Sequence, residues 1–133
     1  MAMSSKPPIL RICLAAFVIV LLSLLIVVLV VTGYAFSLAF QARGAPDQAR
    51  IGQFGQWIGS WLTPVLQIIL TAVGARWIKR KSVTARSQSG AVLGVLVVIL
   101  AILSYLLFGW SFQTVDVLWC VLIIVAGWLG GRL

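Results

Sequence analysis

The sequence contains no histidine and no glutamate, and its only carboxylates are Asp47 and Asp116. Imidazole ligation of haem, His-rich zinc sites and His-based acid/base chemistry are thereby excluded, and with them most classes of enzyme. Charge of either sign is scarce: 9% of residues are Asp, Glu, Lys or Arg, against about 25% in an ordinary soluble domain. With 62% hydrophobic residues, the 133-residue chain reads as one domain at most, placed in a bilayer rather than in water. Cysteine is equally sparse. Cys13 and Cys120 form no CxxC pair and stand in apolar surroundings, where a thiol behaves as a small hydrophobe, so packing without a disulfide is expected. No cofactor, no metal site and no enzymatic activity are expected.

What the chain has in abundance is long apolar runs. The first, Ile12 to Val31, exceeds the roughly 7 to 15 residues of a signal-peptide core and is expected to be a retained membrane helix. A crossing needs about 20 apolar residues. Four stretches are expected to be helical: about 9–40, 54–78, 91–112 and 113–131, after an N-terminal tail, 1–8, and with a basic loop at 79–90. The fourth reaches spanning length only if Phe112 to Asp116 joins it; a re-entrant segment is the alternative. The expected architecture is an all-α integral membrane protein, a four-transmembrane-helix bundle with no soluble domain.

Charge sets the expected orientation. With four crossings, Lys6, Arg11, Arg76, Lys79, Arg80, Lys81, Arg86 and Arg132 share one side, and only Arg43 and Arg50 lie on the other. Loops rich in Lys and Arg stay cytoplasmic, so both termini are expected there, in a cell or inner membrane. Tryptophan gives an independent test, since it favours membrane-water interfaces. Trp57, Trp61, Trp110 and Trp119, with Tyr34, fall near the outer face, and Trp77 and Trp128 near the inner one. The stretch ARWIKRKSVTAR is therefore a topology determinant whose Arg76, Lys79, Arg80, Lys81 and Arg86 touch anionic lipid headgroups. Nucleic acid is not an expected partner, because five charges on a short loop bring neither a binding fold nor an aromatic platform.

Helices in lipid gain nothing from hydrophobic association and are held by close backbone contact and polar cross-links. Gly55 and Gly59, Gly90 and Gly94, and Gly127 and Gly131 each place two glycines on one helical face, suggesting tight packing within the chain or between copies. The first helix instead offers an almost uniform Leu/Ile/Val surface suited to lipid. Pro64 removes a backbone hydrogen bond from the second helix, and Gln67 lies near the midplane. Gln67 either bonds a neighbouring helix or the backbone freed by Pro64, or lines a polar path with Thr63 and Thr71, which flank it at helical spacing of four. Asp116, at the start of the fourth helix near the outer interface, is expected to cap that helix or to pair with Arg43 or Arg50.

Small multidrug transporters of this size depend on a membrane-embedded glutamate, which this chain lacks. The segments VLQIILTAVGARWIKR and VLWCVLIIVAGWLGGRL each resemble the outer membrane helices of small-conductance mechanosensitive channels, in hydrophobic pattern followed by Gly and Arg. The pore helix and soluble vestibule of such channels have no counterpart here. The expected function is that of an accessory or structural subunit packing into a larger membrane complex, alongside other membrane-protein subunits or copies of itself. The alternative is a homo-oligomeric channel or small transporter with its path near Gln67.

Overall fold

The computed structural model describes residues 9–81, 88–109 and 111–133, with Lys81 described by its backbone only. It is all-helical, with four long apolar helices and no strand among the described residues: α1 (Ile9–Ala42), α2 (Gln48–Lys81), α3 (Gln88–Phe108) and α4 (Thr114–Arg132). All four are long and apolar enough to cross a membrane. The tail 1–8, including Lys6, lies outside the described residues, as do Arg86 and Trp110.

The helix ends are set by local chemistry that hydropathy does not register. Asp47 caps α2: its Oδ1 accepts from the Ala49 N–H at 3.0 Å and its carbonyl from the Ile51 N–H at 3.2 Å. The helix therefore starts six residues before the expected Phe54, through polar QARIGQ, and runs on unbroken past Pro64. It also continues through Lys81, so residues 79–81 belong to helix rather than to the expected loop, as do 88–90 at the start of α3. Before α2, Arg43 turns the chain at φ 48°, the left-handed conformation common just after a helix. Gly109, at φ 68°, does the same after Phe108 and ends α3 four residues before the expected 112.

Consecutive helices run antiparallel. Gly90, near the start of α3, packs on Gly127 and Gly131 at the end of α4, while Gly130 of α4 lies against Ala72 of α2. Lys79 Nζ donates to the Arg132 carbonyl at 2.9 Å, tying the C-termini of α2 and α4. One end of the molecule, the basic end, thus gathers Arg11, Arg76, Lys79, Arg80 and Arg132. Every helix pair touches except α1 and α4, so α2 and α3 form the inner pair, with α1 and α4 on opposite flanks, an arrangement compatible with a four-helix bundle.

The core lies where α1, α2 and α3 meet. Ile12, Ala16 and Ile19 of α1 pack with Ala75 and Ile78 of α2 and with Leu93 and Val97 of α3, the last two wholly inaccessible. Outside this strip the surface is apolar: only 22% of the most hydrophobic window of α1, and 28% of that of α3, is buried. The hydroxyls fit such surroundings by bonding their own helix. Ser23, Ser37, Ser60 and Ser104 donate to the carbonyl three residues back and Thr32 to the one four back, at 2.7 to 2.8 Å.

The helices differ in length. Ala72 level with Gly130 sets Thr114 beside Gln56, so the first turns of α2 have no part of α4 alongside. There α2 pairs with the end of α1 alone, as a hairpin that overruns α3 and α4. Tyr34 stacks on Phe54 with ring centroids 3.9 Å apart, and Trp57 and Trp61 continue the aromatic line at 5.6 Å.

Candidate functional site

Along α2, Gln67, Thr71, Ala75 and Ile78 form the buried stripe that faces the other helices. Near its middle, where α2 passes α3 and α4, a cleft of about 30 Å³ opens between the three. Thr63 and Gln67 contribute from α2, Tyr105 from α3, and Asp116 and Cys120 from α4. The Gly109 turn directs the chain back so that Phe112 meets Tyr105 edge-on at 6.3 Å, and both rings line the cleft. Amide, hydroxyl, phenol and carboxylate thus share one small space. Its volume suits two or three waters at most, which need about 10 to 15 Å³ each, and no organic solute.

Asp116 has a structural task as well. Its Oδ2 accepts from the Gln113 N–H at 2.7 Å while its own N–H donates to the Gln113 carbonyl at 2.9 Å, which fastens the first turn of α4. A carboxylate there also complements the positive end of the helix dipole.

The three residues of the expected polar path part company. Thr63 and Gln67 line the cleft; Thr71 is fully buried elsewhere, and its Oγ1 has no hydrogen-bond partner among the described residues. The divergence follows from helix geometry, because four residues advance about 400°, so positions 63 and 71 differ by about 80° around the axis. An unmatched buried hydroxyl costs about 1 to 3 kcal/mol. Thr71→Val, which keeps the shape and removes the hydroxyl, is expected to raise stability by about 1 kcal/mol. Thermal unfolding in mild detergent measures this, and a lowered midpoint would mean that the hydroxyl is bonded in solution.

The glycines also divide. Gly90 and Gly127 face each other closely enough that a Cβ on either would strike the other's carbonyl oxygen, and a Cβ on Gly94 would come to 2.9 Å from the Ile124 Cα. Gly131 completes this seam beneath Gly90. Gly55 meets only the Val31 side chain at 3.8 Å, and Gly59 has open space around it. Two further close approaches lie outside the glycine pairs of the sequence: Gly130 on Ala72, and Gly74, whose Cβ would sit 3.1 Å from Ile19 Cδ1. The first had a legible signal in the small residue Ala72. The second depends on the course of α1 and had none.

At the basic end, Arg76, Lys79 and Arg80 are exposed on the last turns of α2, and Lys81 ends the helix. Lys79 caps α4 as described. Arg132 lies over the Trp128 ring, with Cζ 3.9 Å from its centroid, a cation-π contact. Cys13 is exposed on α1 and Cys120 half-buried, both as free thiols. Among the described residues no three Cys or Asp side chains gather as a metal site would require. No family model, curated protein or solved structure matches this chain.

Proposed function

We propose that the chain is a multi-pass integral membrane protein, with both termini cytoplasmic, that acts as an accessory or structural subunit of a larger membrane complex. The overrun of the α1–α2 hairpin carries this reading. At about 1.5 Å per residue, α3 and α4, with 21 and 19 residues, match the about 30 Å of hydrocarbon. With 34 residues each, α1 and α2 are about 51 Å long, and even a 40° tilt leaves about 39 Å. The excess carries Phe36 and Phe40, both more than half exposed. Apolar surface that neither the bundle nor hydrocarbon covers is suited to a protein partner. The basic end supplies the orientation, since cations cluster on the cytoplasmic side.

Purification of the full chain in mild detergent, with the mass and composition of the particle determined, tests the reading. Reproducible co-purifying proteins are expected, and their loss on replacing Phe36 and Phe40 together with serine. A defined homo-oligomer with no other protein would overturn it.

The polar cleft favours a second reading, a homo-oligomeric channel or small transporter in which Thr63 and Gln67 line a path that widens in another state. Gln67→Leu separates the two. Flux through reconstituted vesicles falls at least about tenfold if the amide carries transition-state desolvation, which requires about 1.4 kcal/mol. A subunit bearing the same change keeps its partners and loses at most about 1 to 2 kcal/mol of stability.

A further inference from the structure

Between α1 and α2 at the basic end lies a groove of about 660 Å³, within the range of pockets that hold small organic ligands. Gly74 and Ile19 lie at its floor, where α1 and α2 approach so closely that a Cβ on Gly74 would come to 3.1 Å from the Ile19 Cδ1. Leu14, Val18 and Leu22 make one exposed rim, and Val73 and Trp77 the other. The lining is apolar except at the mouth. There Arg11, one turn before Leu14, is part of the lining, and helical spacing puts Arg80 one turn beyond Trp77 on the α2 side; both are exposed. The two arginines share an end because α1 begins where α2 finishes.

We propose that this groove holds one acyl chain of an anionic phospholipid, with its phosphate at Arg11 and Arg80. The shape asks for a long apolar body, and the mouth asks for an anion at the end of it. Trp77 beside the mouth is the residue type that settles at headgroup level. Lys79 and Arg132, by contrast, are committed to the α4 terminus and the Trp128 ring. The general attraction of the basic end for acidic headgroups thereby acquires one defined position. The inference rests on the bilayer placement proposed above and is independent of the subunit reading.

The test uses the full chain reconstituted in vesicles of phosphatidylcholine with a minor fraction of phosphatidylglycerol, extracted into mild detergent, with retained lipids counted by native mass spectrometry. The wild type is expected to retain phosphatidylglycerol in preference to phosphatidylcholine. Val18→Trp and Leu14→Trp, each of which fills the groove with every cation in place, are expected to lose it. Arg11→Gln and Arg80→Gln are expected to keep a lipid but to weaken the preference about fivefold for each charge removed. Unchanged retention in both tryptophan variants, with unfolding midpoints like that of the wild type, would overturn the proposal and leave diffuse headgroup attraction. A protein segment or second copy found on the groove in place of lipid would overturn it too. Release of the wild type from vesicles by alkaline carbonate would instead refute the bilayer placement.

Discussion

Gly90→Ala and Gly127→Ala are each expected to destabilise the protein by about 3 kcal/mol, at the upper end of overpacking costs. The usual relief, rotation of an offending side chain, is unavailable because the obstacles are backbone atoms. The added methyl at Gly90 meets the carbonyl of Gly127 and stands 3.0 Å from the Gly131 Cα, and the reverse substitution stands 3.2 Å from the Gly94 Cα. The two helices must move apart along the whole seam, losing the close dispersion contacts that hold helices together where water supplies no driving force. Gly59→Ala is the control. It adds the same methyl in open space, removes a helix-weakening glycine and is expected to be neutral or to stabilise by up to about 1 kcal/mol. Thermal unfolding in mild detergent compares the three, and equal midpoints would refute the α3–α4 contact.

The second large effect concerns Leu93, wholly buried where α1, α2 and α3 meet. Its Cδ2 lies 3.4 Å from where a Gly74 Cβ would be, and Ile19 flanks the same position. Leu93→Ala empties a site walled on three sides by helices that cannot collapse independently. A loss of about 2 to 5 kcal/mol is expected, as for buried leucines generally. Leu107→Ala deletes the same atoms from a side chain that is 78% exposed, and the expected change is within about 0.5 kcal/mol. Chemical or thermal unfolding of both variants in one detergent provides the comparison. A large loss at Leu107 as well would mean that its face is covered by another copy of the chain.

The four helices were legible because uninterrupted apolar length is a signal that survives without knowledge of neighbours. Their ends were less so. A hydropathy reading begins α2 at Phe54, whereas the Asp47 side chain fixes the true start with one hydrogen bond, a cue present in APDQAR that apolar counting passes over. The run to Phe112 likewise conceals the turn at Gly109. Gly55 with Gly59 and Gly90 with Gly94 are the same pattern in sequence. Only their placement distinguishes them, the first pair meeting no other backbone and the second opposite another pair of glycines. For the polar residues, spacing of four suggested one face for Thr63, Gln67 and Thr71, but accumulated rotation takes Thr71 out of the cleft. Tyr105 could not be assigned to the site beforehand, because its membership depends on how α3 lies against α2.

The hydroxyls that bond back to their own helices have a consequence for how the helices recognise one another. Ser23, Thr32, Ser37, Ser60 and Ser104 carry their hydrogen bonds with them, whatever lies alongside. They therefore contribute nothing to choosing a neighbour or a register. That choice falls to volume. Sliding α4 one turn along α3 breaks none of these side-chain hydrogen bonds, yet in one direction it brings Ile123 to the place where Gly127 now lets two backbones meet. The sequence can thus exchange these serines for alanine and keep its alignment, while a single added carbon on the glycine seam changes which alignment is available.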